Sequence, residues 1–158
     1  MQSDVVLRQQ LVKLLTSGEA HADFDTAVKG LPTELRGQVP KGGEHSPWQL
    51  LEHMRIALWD ILEFSLDVKH KSPKWPDDYW PKKSEPASAS EWDESVKEYK
   101  KLIQGMSELV SDESVDLFAK IPHGDGQTVL REALLVADHN AYHIGQLVLT
   151  RKLLGAWG

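Results

Sequence analysis

The chain has 158 residues, enough for one domain with a sizeable core, and it carries 24 acidic against 18 basic side chains for a net charge of −6. Its lysines fall in short clusters among acidic neighbours (Lys69–Lys71, Lys82-Lys83, Lys97–Lys101), which excludes the basic stripe that nucleic-acid binding needs. It has no cysteine, so disulfides, thiolate ligands and cysteine nucleophiles are excluded, and no uncharged apolar run approaches the roughly 20 residues that span a bilayer.

Asp4, Arg8 and Lys13 interrupt the N-terminal apolar residues, unlike a signal-peptide core, so the expectation is one soluble, cytoplasmic domain over residues 1–158. Residues 3–30 read as a first helix, with Leu7, Leu11, Leu14, Leu15, Ala22 and Val28 on one side. His21 projects near that side, where packing into the core is the simpler role than metal binding. Gly30-Leu31-Pro32 closes the helix, and Gly37, Pro40, Gly42 and Gly43 mark a loop. His45 lies in that loop. The second helix opens on Ser46-Pro47-Trp48-Gln49: a serine N-cap, a proline at the first helical position and a glutamine at the third. It runs to about Val68 with Leu50, Leu51, Met54, Ala57, Leu58, Ile61 and Leu62 on its apolar side. His53 sits at the margin of that side.

Residues 69–89 contain Pro73, Pro76, Pro81 and Pro86, with Trp75, Tyr79 and Trp80 between them. Three aromatics argue against a flexible linker; the segment reads as a strap packed over the helices, the other reading being a lid on a substrate cleft. A third helix is expected from Ser90, with Ser-x-x-Asp at 90–93 as its cap and a stripe of Trp92, Val96, Tyr99, Ile103, Met106 and Val110. Residues 111–127 form a connection with a short extended piece around Val115, Leu117, Phe118 and Ile121, and His123 is expected to be exposed there.

The last helix runs from Thr128 to about Leu154. Leu130, Ala133, Leu134, Ala137, Ala141, Ile144 and Val148 recur at helical spacing, and Leu135, Tyr142, Leu149 and Leu153 make a second apolar strip, as in a helix central to a bundle. His139 and His143 stand one turn apart, so their side chains share a face and can chelate one ion. Seven histidines placed at random give roughly 0.3 such pairs. Glu132, Gln146 and Thr150 lie near the same line, so the pair alone fits a metal site and a solvated stripe equally well. A third ligand decides, and His53 on the second helix is the candidate, because facing helices of a bundle assemble such sites.

His45 to His53, Gly126-Gln127-Thr128 and Asp138-His139-Asn140-Ala141-Tyr142-His143-Ile144-Gly145-Gln146 together resemble the DinB-like (DinB/YfiT) superfamily of metalloenzymes, over essentially the whole chain. The residues read as four long helices with a long aromatic, Pro-rich loop between helices 2 and 3, and the resemblance implies an all-α four-helix bundle. It also implies a divalent metal, zinc or nickel, on His53, His139 and His143. A homodimer is commonly formed, and the kinship extends to transferases and isomerases that use bacillithiol or mycothiol as an external low-molecular-weight thiol.

Three imidazoles leave a four-coordinate ion one open position, as in catalytic zinc sites, where a water's pKa falls to about 7. A coordinated thiol would likewise be deprotonated. The His-Glu-x-x-His of zinc proteases is absent, since Asn140 fills the glutamate's place. Each ligand should donate its second N–H to an acceptor; Asp60, Glu132 and Gln146 are candidates by helical phase, Asp138 a less direct one. The expected function is a metal-dependent transferase or hydrolase acting on a small molecule, without nucleic-acid or membrane partners. The alternative is a non-catalytic metal-binding or dimerising helical module.

Overall fold

The computed structural model describes residues 2–17 and 19–158, and the protein is all-α there. Four long helices, α1 (Gln2–Thr16), α3 (Pro47–Leu66), α4 (Ala89–Ser111) and α5 (Val129–Leu153), are joined by a short α2 (Phe24–Val28) and two 3₁₀ turns at Thr33–Leu35 and Asp77–Tyr79. Helix α3 packs against both α4 and α5, and α1 closes over the other side of that pair. Leu50, Leu51, Met54 and Leu58 of α3 are almost wholly buried, as are Met106 and Val110 of α4 and Val136 and Leu147 of α5. Each such side chain contributes about 1.5–3 kcal/mol on burial, which makes the seam along α3 the main adhesive of the fold.

The helix starts follow their caps. The Ser46 hydroxyl accepts from the Gln49 N–H at 3.2 Å and the Gln49 side chain accepts from the Ser46 N–H at 3.0 Å, so both halves of the expected capping box form, with Pro47 at the first position. Thr128 caps α5 by accepting from the Arg131 N–H at 3.1 Å. Helix α4 starts two residues earlier than its sequence suggests. Ser88 is the cap, accepting from the Glu91 N–H at 3.1 Å, and Glu91 in turn accepts from the Ala87 N–H. The Ser-x-x-Glu at 88–91 therefore outcompetes the Ser-x-x-Asp at 90–93.

The expected first helix over 3–30 is two helices, and Gly18 within it lies outside the described residues. Ser17 turns its hydroxyl back onto the Lys13 carbonyl at 2.7 Å, and Asp23 caps a new start by accepting from the Thr26 N–H at 2.8 Å. Such local side-chain bonds compete with helix continuation. His21 consequently lies exposed in the break rather than in the core. Between α4 and α5 the chain makes no strand among the described residues, only one isolated antiparallel bridge between Lys120 and Thr128. Leu117 and Ile121 are buried there, while Phe118 points out. His123 is half-buried, not exposed: its Nε2–H donates to the Phe64 carbonyl at 2.7 Å.

Two arginines buried in the core tie helix ends together. Arg8 of α1, 7% exposed, donates to the carbonyls of Val110 and Asp112 at 2.8 Å each and of Val115 at 2.7 Å, gathering the end of α4. Arg151 does the same from α5, reaching the Ala27 carbonyl at 2.6 Å, Lys29 at 3.0 Å and Ala156 at 2.8 Å. The last carbonyls of a helix have no partner within it, and a cation there also meets the negative end of the helix dipole. Removing the donor strands buried acceptors at about 1–3 kcal/mol. Arg8→Met should therefore cost about 2 kcal/mol in urea unfolding, whereas Lys13→Met, at an exposed pair with Glu19, should change stability by less than about 0.5 kcal/mol.

Candidate metal centre

The three histidines singled out by spacing come together. His53 of α3 and His139 and His143 of α5 each offer one ring nitrogen, and these nitrogens all lie within 4.8 Å of one another. The Nε2 atoms of His53 and His139, 86 residues apart in sequence, are 3.0 Å apart. Ligands held tetrahedrally about 2.0–2.1 Å from an ion stand roughly 3.3 Å from each other, so the cluster needs only small adjustments to close on one. His53 is 2% exposed, His143 is buried and His139 is half-buried.

Two of the rings are fixed from behind. His53 Nδ1–H donates to the backbone carbonyl of Tyr79 at 2.9 Å, and His143 Nδ1–H donates to Gln146 Oε1 at 2.6 Å. A carbonyl oxygen can only accept, so each of these rings must carry its proton on Nδ1, leaving Nε2 bare toward the common centre. The Gln146 amide is itself oriented, its Nε2–H reaching the Tyr142 hydroxyl at 3.3 Å. Trp80 lies flat on His53, centroids 3.8 Å apart and planes within 2°. His45 stacks on Trp80 at 4.0 Å. Two rings so close to one indole cannot share a face, so Trp80 is sandwiched between them.

Burial is the main cause that lowers the proton affinity of the cluster. It pushes His139 and His143 down to about 4, with the neighbouring imidazoles adding to the effect, and it also lowers His53. Desolvation disfavours the charged form of a base, and a second positive ring nearby disfavours it further. At neutral pH the three rings are therefore neutral, the state in which imidazole binds a metal.

Of the acceptors expected by helical phase, Gln146 alone bonds one of the three clustered rings directly. Asp60 is turned to the Tyr79 hydroxyl and to His70, so it reaches His53 only through the Tyr79 residue. Glu132 pairs with Arg131 at 2.8 Å. The line through Glu132, Gln146 and Thr150 is no wet face, since Glu132 and Thr150 are buried and Gln146 half-buried. The exposed side of α5 is instead the second apolar strip: Tyr142, Leu149 and Leu153 are 65%, 56% and 58% exposed. Asn140, in the place of a protease's glutamate, is buried and lines a cavity of about 170 Å³ with Leu15, Phe24, Tyr99 and Ile103. Its side chain also bonds to His139, which partly offsets the lowering of that ring's proton affinity by burial.

What sequence reasoning missed is the role of residues 70–80. Tyr79 is buried and Trp80 half-buried against the site, while Trp75 stays 67% exposed. The Pro-flanked Tyr-Trp pair was the available signal, but the atom that matters at Tyr79 is a main-chain oxygen, which any residue would supply.

None of the described helices is long and apolar enough to cross a membrane. Searches of curated proteins and of solved structures gave no match. The family profile described as the DinB superfamily matches residues 18–147, a span that takes in α2 to α4, most of α5 and all three clustered histidines, and the chain thus belongs to the DinB superfamily.

Proposed function

We propose that this DinB-superfamily protein is a divalent-metal-dependent enzyme, a four-helix bundle whose His53, His139 and His143 hold zinc or nickel, acting as a transferase or hydrolase on a small molecule. The observation that carries the reading is the convergence of three imidazole nitrogens from two helices, those of His53 and His143 buried and that of His139 half-buried, with the Nδ1 protons of His53 and His143 already committed to carbonyl oxygens. An all-imidazole donor set suits zinc and nickel better than magnesium or calcium, which prefer oxygen. Three protein ligands are also the number found in catalytic zinc sites, which keep a further position open. When bound, such an ion supplies Lewis acidity and makes a water or a thiol more acidic at neutral pH. The chain contains no cysteine, so thiol chemistry at this centre requires an external low-molecular-weight thiol.

The protein's own residues do the positioning. Tyr79 and Gln146 set the ring orientations of His53 and His143, and Trp80 covers one face of His53 against water. We further propose that the chain is a homodimer, with the exposed strip of Tyr142, Leu149 and Leu153 as the apolar surface available to a second copy.

Elemental analysis of purified protein tests the central reading: wild type should carry about one zinc or nickel per chain, and His139→Ala/His143→Ala should carry none, in line with a site built of three ligands. Equal metal in the two, or none in either, removes the site and leaves a helical module. The pH dependence follows from burial. The rings' ordinary value is 6.5, and in the folded protein His139 and His143 lie at about 4. Between these values the unfolded chain takes up protons that the folded site refuses, so the contribution to stability is full above pH 6.5 and lost as pH falls toward 4. The Tm of metal-free protein should drop across that window, and His139→Asn/His143→Asn should flatten the drop. A wild-type Tm that tracks the double variant's throughout would contradict the assignment.

A further inference from the structure

Asp60 lies seven residues after His53 on α3 and is 8% exposed. Among the described residues no lysine or arginine pairs with it. Its two oxygens are divided between residues nine apart in the following segment: Oδ1 accepts from His70 Nε2–H at 2.7 Å, and Oδ2 accepts from the Tyr79 hydroxyl at 2.5 Å. His70 is further held by the edge-on ring of Trp59, with centroids 5.1 Å apart. Between those two anchors every residue from 71 to 78 is exposed except the half-buried Pro73. Burial of that stretch therefore cannot hold it against α3. A buried carboxylate is costly unless hydrogen bonds satisfy it, and here both oxygens are used on the same segment.

From these contacts we infer that Asp60 is a positioning residue for the metal centre, clamping His70 and Tyr79 to α3 so that the Tyr79 carbonyl stays on His53 Nδ1–H. The inference rests on the metal reading above and adds a residue that touches neither the ion nor its ligands. The chain of contacts is short. Asp60 fixes the phenol of Tyr79, the phenol fixes the residue, and the residue's carbonyl fixes the imidazole and its tautomer. Trp80 follows directly in sequence and is delivered onto the face of His53 by the same anchor. Loss of the groups behind a metal ligand weakens metal binding about 10–100-fold.

The test measures zinc affinity by chelator competition at a temperature where circular dichroism shows every variant folded. Asp60→Ala should bind zinc about 10–100-fold more weakly than wild type. Tyr79→Phe keeps the buried ring but loses the hydroxyl, and it should bind about tenfold more weakly, which serves if Asp60→Ala does not fold. Arg8→Met, destabilising but remote, should bind zinc as wild type does, which separates positioning from general loosening of the fold. A second readout needs no metal. In metal-free protein the His53 Nδ1 proton should exchange with solvent faster in Asp60→Ala and Tyr79→Phe than in wild type. Wild-type zinc affinity and wild-type exchange in both variants would overturn the clamp. If wild type takes up no zinc, the metal reading falls, and the clamp is judged by proton exchange alone: equal rates overturn it.

Discussion

The contact on which the rest depends is that of α3 with α5, because it forces polar rings into a place where apolar packing would be cheaper. Most of the seam is aliphatic and needs no explanation beyond area removed from water. At one level, however, three imidazoles replace aliphatic groups, and buried polar atoms must find partners. The outward nitrogens of His53 and His143 have theirs. The inward ones face one another, and His139 Nε2 lies 3.0 Å from His53 Nε2, a distance at which a neutral His139 with its proton on Nε2 donates to the bare Nε2 of His53. Burial disfavours positive charge on the rings, so the cluster stays neutral and its remaining inward lone pairs are available to a donor or to an ion.

How much of this was legible in the sequence depends on whether the information sits in side chains close together along the chain. The starts of α3 and α5 were, because Ser46-Pro47-Trp48-Gln49 and Thr128 carry capping chemistry within one turn. His139 and His143 were, because one helical turn fixes their proximity. His53 was legible only in combination with them. The break at 17–23 was not, since its apolar residues keep helical phase across it and Asp23 looks like any helix-surface carboxylate until its side chain is seen on the Thr26 amide. Phase gives the face a residue occupies but not how far it reaches: Asp60 was named for the right neighbourhood and the wrong contact. Main-chain acceptors such as the Tyr79 carbonyl have no residue signature at all. The apolar strip at Tyr142, Leu149 and Leu153 shows the converse limit, for apolar character alone does not say that a face is covered.

Arg8 and Arg151 show how helix ends are kept in place without a larger core. Each guanidinium collects carbonyls from separate pieces of chain, so the end of α4, the end of α2 and the turn after α5 are located by hydrogen bonds rather than by packing. Helix ends otherwise fray, and these bonds hold the end of α4, the end of α2 and the turn after α5 against local opening.

The two anchors on Asp60 also divide the segment between them into parts with different freedoms. His70 and Tyr79 are pinned, whereas the stretch from 71 to 78 is exposed apart from the half-buried Pro73 and meets the site through Tyr79, whose N–H donates to the Pro76 carbonyl at 3.1 Å and whose ring meets that of Trp75 edge-on. Lengthening a surface loop costs little entropy once its ends are fixed. The outward-facing side chains of that stretch are accordingly where a change in length or chemistry would least disturb the imidazole cluster.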